Sequence, residues 1–345
     1  MEQVHTFEIS INWSLISLIS AIDRFDASWS SIERKEGKML KQLKSIATVR
    51  SVGASTRIEG SKMSDEEVDV LLKNLDVTKL EGRDSQEVVG YFNVLDLITE
   101  QFNEIEIRDT DIKGLHNLLM KQSKKDEWHR GNFKQHANSV IAEMPDGSRQ
   151  MIFRTTDPGF ATEKGMEDLI NWYHHDVFTH VLVKCALFAY EFLSIHPFQD
   201  GNGRLSRLLA TLLLLKQGYT WIQYVSFEHE IESRKNEYYS VLRRCQSQRP
   251  NEDVTPWVMF FFDALQNIQG QLIAKLRLQE NTVILSPKEK SILLFIGDHP
   301  GTKSGEISKK LDIAIPTAKR ILAGLVARQL IEKHGIGSGT YYTLL

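Results

Sequence analysis

Proline and cysteine are both scarce in this sequence, with eight and two residues among 345. Few prolines leave long stretches without a helix breaker, so helix should dominate. The two cysteines, Cys185 and Cys245, lie far apart. They exclude a disulfide framework and a cysteine-based zinc site, and read as core thiols. Long apolar runs are also missing. The purest are Leu208 to Leu215, broken by one threonine, and Val258 to Phe262, well short of the ~20 residues that span a bilayer. No membrane partner is therefore expected. The opening MEQVHTFEIS has neither the basic start nor the apolar core of a signal peptide, so a cytoplasmic location is expected. Charge of one sign is absent too: 42 basic against 45 acidic residues, net -3, excludes a general polyanion binder. Hydrophobic residues at 41% and charged residues at 25% describe a globular chain rather than a disordered one. Its length suggests two or three domains at about 100–200 residues each.

Helical spacing is plentiful. Apolar residues recur at three and four from Leu15 to Ile46, again at Leu71, Leu72 and Leu75, from Tyr91 to Leu97, and from Leu115 to Met120. These are core-facing stripes. One segment breaks the pattern: Val140-Ile141, a Pro-Asp-Gly turn at 145–147, then Met151-Ile152-Phe153. Two apolar runs around a turn predict a β-hairpin. The tail from 285 to 345 holds nine basic and five acidic residues. Its pattern predicts helices at 288–297, 304–311 and 316–328, then strands at 330–333 and 340–344 around a glycine-rich turn. Three helices and a two-stranded wing describe a winged helix-turn-helix.

The most informative stretch is His196-Pro-Phe-Gln-Asp-Gly-Asn-Gly-Arg-Leu-Ser-Arg207. An apolar helix precedes it and a leucine stripe follows, so it is a tight loop between helices. Gly201 and Gly203 let the backbone turn and leave amide groups uncovered at a helix N-terminus, where an anion is favoured. Arg204 and Arg207 lie three apart and share a face near that end. Asp200 offers a hard carboxylate oxygen suited to Mg²⁺ shared with phosphate, and His196 can act as a base on a hydroxyl. A Walker A loop is absent from the sequence, and a Rossmann GxGxxG would require glycine where Ser206 stands. The adjacent His174 and His175 point about 100° apart on a helix, which makes joint metal chelation awkward.

This string resembles the Fic motif HPFxDGNGRxxR at every defined position, and the resemblance extends over about residues 50 to 250. It implies a mainly α fold: a Fic-type helical bundle with a β-hairpin flap, joined to the small C-terminal winged helix-turn-helix domain. The expected organisation is a helical region over 1–110, a catalytic core over 111–267, a linker over 268–284 and the winged helix over 285–345. The implied activity is transfer of AMP from ATP to a Ser, Thr or Tyr hydroxyl of a target protein, with self-modification included and pyrophosphate released. By that resemblance His196 is the general base and Asp200 the Mg²⁺ ligand. Gly201, Asn202 and Gly203 form the anion hole, Arg204 contacts the β-phosphate and Arg207 the γ-phosphate. Phe198 anchors the loop in the core. Arginine at 204, where Doc-like kinases carry lysine, favours AMP transfer.

Ser55-Thr-Arg-Ile-Glu59-Gly60 resembles the family's inhibitory motif [ST]xxxE[GN]. It implies that Glu59 pairs with Arg207 in the γ-phosphate site, while Ser55 bonds near the anion hole. The hairpin resembles the target-binding flap, with Val140 and Ile141 near the nucleotide. Tyr239 and Gln246 are the expected adenine contacts. The residues leave other readings open: a DNA-binding regulator with an inert core, transfer of a different nucleotide, and removal of AMP. The family also contains homodimers.

Overall fold

The computed structural model describes residues 7–35, 37–75, 80, 82–143, 149–280, 285–328 and 330–344. The chain divides into two compact units, the first ending at Gln269 and the second beginning at Gly270. Up to the hairpin the first unit contains α1 (Trp13–Lys35), α2 (Gly37–Ile58), α3 (Asp65–Lys73), α4 (Arg83–Gln101) and α5 (Asp109–Leu119). The hairpin strands are β1 (Ser139–Glu143) and β2 (Arg149–Arg154), paired antiparallel with a register shift between Val140 and Ile141. There follow α6 (Phe160–His175), α7 (Val181–Ile195), α8 (Asn202–Lys216), α9 (Phe227–Ser233), α10 (Lys235–Gln246) and the first part of α11 (Thr255–Glu280), whose residues from Gly270 belong to the second unit. The fold is mainly helical, as expected. The stripe from Leu15 to Ile46 belongs to two helices rather than one, with residue 36 between them outside the described residues. The hairpin's Pro145 turn also lies outside the described residues. Of the stretch expected as a linker, 268–280 continues α11, and 281–284 lie outside the described residues.

The core of this unit is the pair α7 and α8, which pack on each other and on α6 and α4. Apart from Lys184, every α7 residue from Leu182 to Ile195 is buried. A helix apolar on all sides belongs inside a protein. Phe188, Tyr190 and Phe192 are fully buried, each stabilising the fold by about 1.5–3 kcal/mol. The acid in this helix, Glu191, is tolerated because Arg249 grips it with two bonds of 2.6 and 2.7 Å. Cys185 and Cys245 are buried free thiols. His174 and His175 each face a backbone carbonyl at 2.8 Å, and no metal-binding cluster occurs among the described residues. No helix there is long and apolar enough to cross a membrane.

The second unit contains α12 (Pro287–Asp298), α13 (Ser304–Lys310) and α14 (Ile315–Ala327), then the antiparallel strands β3 (Ile331–His334) and β4 (Tyr341–Leu344). Ser286 and Glu289 form a capping box with Pro287 in the first turn of α12. A separate core gathers Ile292, Ile296, Ile307, Leu322 and Leu325.

Candidate active site

Helix α7 ends at His196, whose backbone is left-handed (φ 54, ψ 59). A histidine held there is strained, and such strain persists only where the surroundings impose it. The His196 amide donates to Phe192 O at 2.9 Å. Just before it, the Ile195 carbonyl accepts from Lys134 Nζ at 3.0 Å and Thr156 Oγ1 at 2.9 Å. Lys134 is buried and donates further to Thr155 Oγ1 at 2.9 Å and Asn138 Oδ1 at 3.1 Å. Burial pulls its ammonium down to about 8. One lysine thus ties the base of the hairpin to the residue preceding His196.

The loop from 197 to 201 is fastened from three sides. Asn202 accepts from the Phe198 amide at 2.9 Å and returns a bond to the Phe198 carbonyl at 2.8 Å. Asn138 Nδ2 reaches the same carbonyl at 2.9 Å, and the Lys134 amide donates to Pro197 O at 2.8 Å. From α5, His116 stacks on the Phe198 ring with centroids 3.8 Å apart. Its Nδ1 accepts from the Gly131 amide at 2.9 Å, which leaves Nε2–H to donate to Asp200 O at 3.0 Å. Phe198 is fully buried.

Helix α8 starts at Gly201, whose φ of 79 is one that glycine adopts freely. The first backbone bond of α8 runs from the Leu205 amide to Gly201 O at 2.9 Å. The amides of Asn202, Gly203 and Arg204 therefore precede the intrahelical ladder and sit at the positive end of the helix dipole. A side chain at Gly203 would run into Glu59 Oε1, so glycine keeps this end open. Asn202 contributes its backbone alone to that end, since its side chain is committed to Phe198.

Arg204 and Arg207 are both 2% exposed in the side chain. Arg204 lies 3.5 Å from Glu87 and 3.8 Å from Asp200. Its Nε has no partner among the described residues, an orphaned buried donor that an anion would satisfy. Arg207 is engaged at Nε and Nη2. Its Nε donates to Ser55 Oγ at 2.8 Å, and its Nη2 to Ser55 O at 3.0 Å and Glu59 Oε1 at 2.7 Å. Ser55 therefore holds the guanidinium beside the Gly203 end of the loop. Burial disfavours ionised Glu59, but Arg207 and then Arg204 outweigh it and hold the carboxyl below its usual range. Burial likewise disfavours ionised Asp200, and Arg204, the Gly201 amide at 2.6 Å and Arg83 pull it down.

These groups share one cavity of about 690 Å³, lined by Glu59, His196, Asp200, Arg204, Arg207 and Tyr239 among others. Gly201, Asn202, Gly203 and Gln246 also line it. Gln246 donates to Ser194 Oγ at 3.1 Å. Val140 and Ile141 lie on β1, and their side chains fall outside the described residues. Desolvation lowers His196 to about 4, so its imidazole is neutral at neutral pH. With Nδ1 facing Leu193 O at 3.4 Å, that nitrogen carries the proton and Nε2 is the free base. Sequence reasoning missed His116, Lys134, Asn138, Arg83 and Glu87. His116 sits within a leucine stripe and Lys134 beside a lone Phe133, so neither spacing marks them.

His116 gives the site a pH signature. Desolvation lowers it from 6.5 to about 4, reinforced by His129 and Arg204, while the bond to Asp200 opposes. The unfolded chain takes up this proton first as pH falls, so the stabilisation is complete above about 6.5 and lost on the way down to about 4. Thermal melts should show a decline over that window on the order of 2–3 kcal/mol. His116→Asn should flatten it.

Residues 106–214 match the Fic/DOC family profile. The chain is 27% identical over 165 residues to a protein named "Protein adenylyltransferase Fic" from Drosophila yakuba, covering 47% of this chain and 29% of that one. The protein of the same name from Drosophila virilis is 26% identical over 220 residues, covering 61% and 40%. The chain thus spans less than half the length of these relatives. Among solved structures, a Fic family protein from Desulfovibrio desulfuricans superposes with a TM-score of 0.65 at 23% identity, covering 99% of this chain and 98% of that one. A Fic domain containing signaling protein from Bacteroides thetaiotaomicron gives 0.58 at 21%, covering 74% and 97%. At these identities the likeness shows the fold.

Proposed function

We propose that this chain, a Fic domain protein, transfers AMP from ATP to a hydroxyl side chain of a target protein and releases pyrophosphate. One observation carries the reading: a neutral histidine shares a cavity with a helix N-terminus flanked by two buried arginines, one with an orphaned N–H. The adenylyltransferase relatives support the same chemistry.

In this reading the target oxygen attacks the α-phosphorus, the bond from that phosphorus to the bridging oxygen breaks, and pyrophosphate leaves. His196 Nε2 takes the hydroxyl proton. The α8 amides and Arg204 hold the charge that develops on the phosphate oxygens, so the protein acts by positioning and charge stabilisation. Tyr239 and Gln246 flank the space left for the base. Asp200 would hold Mg²⁺. Its half-exposed carboxylate, without a protein cage among the described residues, suits an ion shared with phosphate oxygens. When bound, that ion would neutralise charge between the phosphates. Glu59 restrains the reaction because it occupies the guanidinium that the γ-phosphate needs.

The chain's own hydroxyls are the cheapest acceptors to test. With ATP labelled at the α or the γ phosphorus, label should enter protein from the α position alone. Incorporation from the γ position would mean phosphoryl transfer and would overturn the reading. Intact mass against a panel of nucleoside triphosphates then identifies the base.

A further inference from the structure

The second unit carries a groove of its own. It has a volume of about 990 Å³ and is walled by α13, α14 and the β3–β4 sheet. Four lysines line it, Lys303, Lys309, Lys319 and Lys333, against a single acid, Glu306. That acid is already committed: its Oε2 accepts from the Thr302 hydroxyl at 3.0 Å and the Lys303 amide at 2.9 Å. Among the described residues none of the four ammonium groups is paired with a carboxylate. Four unpaired like charges around one groove make a field that collects anions. Locally this reverses the net negative charge of the whole chain.

The shape narrows the class of anion. Helix α14 buries Ala318, Ile321, Leu322 and Leu325 and turns Pro316, Lys319, Arg320 and Ala323 outward. Its exposed stripe therefore combines Pro316 and Ala323 with two cations, and Ile315 is exposed at its start. A helix of this width fits the ~12 Å major groove of B-form DNA. The deep, narrow major groove of an A-form duplex does not admit it. Beside it the turn from Gly335 to Gly339 bears no acid, and Lys333 stands at its base.

We propose that this groove binds duplex DNA, with α14 in the major groove and the four lysines on flanking phosphates. The test uses the full chain and a fluorescein-labelled random-sequence DNA duplex of about 20 base pairs, read by anisotropy across salt concentration. Four neutralised phosphates give a slope of log K against log salt of about −3.6, or roughly 150-fold weaker binding between about 50 and 200 mM salt. Replacing Lys319 and Lys333 with alanine should lower the slope to about −1.8 and weaken binding at low salt more than tenfold. Both side chains are exposed, so thermal melts should match the unsubstituted chain, and self-modification should not change. The proposal falls if the anisotropy does not rise at low salt, or if the double variant keeps the full slope and affinity. It also falls if an RNA duplex or polyglutamate of matched charge competes as well as the DNA duplex, since the groove would then serve RNA or an acidic protein.

Discussion

Glu59→Gly should raise self-modification by roughly tenfold to a hundredfold. Arg207 spends a 2.7 Å charge-assisted bond on this carboxylate, and a hydrogen bond to a charged group contributes about 1.5–3 kcal/mol. Removing the carboxylate frees the guanidinium for the γ-phosphate and turns that energy toward productive ATP binding. Glu59 lies just past the last residue of α2, so glycine there does not break a helix interior. Without nucleotide the variant should be less stable, because Arg207 keeps Ser55 but loses its counter-charge. The loss should be about 1–3 kcal/mol, since the Glu59 side chain is 30% exposed and water screens part of the pair. Mg²⁺ with ATP should restore the melting temperature more in the variant than in the parent. Equal self-modification by both proteins would remove the inhibitory role.

Loss of His196 should have the larger effect, in the opposite direction. General base catalysis is worth about a hundredfold to ten-thousandfold, and His196→Ala should lose at least that. Alanine also meets the left-handed backbone at this position, at a cost of roughly 1–2 kcal/mol. His196→Asn is the better variant, since asparagine tolerates that conformation and lacks a comparable base. Both should bind Mg²⁺ and ATP with affinity close to the parent's, measured by thermal shift, while transfer disappears. A substantially active asparagine variant would show that the proton leaves by another route. Because His196 is already lowered to about 4, the rate should be flat through neutral pH on the acid side and fall only as pH approaches that value.

Much of this was legible in the chain. Scarce proline and spacings of three and four set the helical class, because a helix needs only a continuous ladder and one apolar stripe. The paired runs around Pro145 marked the hairpin, and the helices and strands from 287 to 344 lie within a residue or two of their expected bounds. The loop from His196 to Arg207 declared itself because its chemistry is contiguous: a base, a carboxylate, two glycines and two arginines within twelve positions.

Contacts between distant segments were a different matter. Ser55 and Glu59 come within bonding distance of Arg207 across about 150 positions, and the motif suggested a partner without showing that Ser55 grips the guanidinium as well. His116 beneath Phe198, Lys134 behind His196 and Glu87 beside Arg204 left no trace in local spacing. Local sequence encodes periodicity and turn chemistry, which involve neighbours a few residues apart. The neutral imidazole, the orphaned arginine donor and the field of four lysines arise from desolvation and through-space charge, which exist only once packing has brought those groups together.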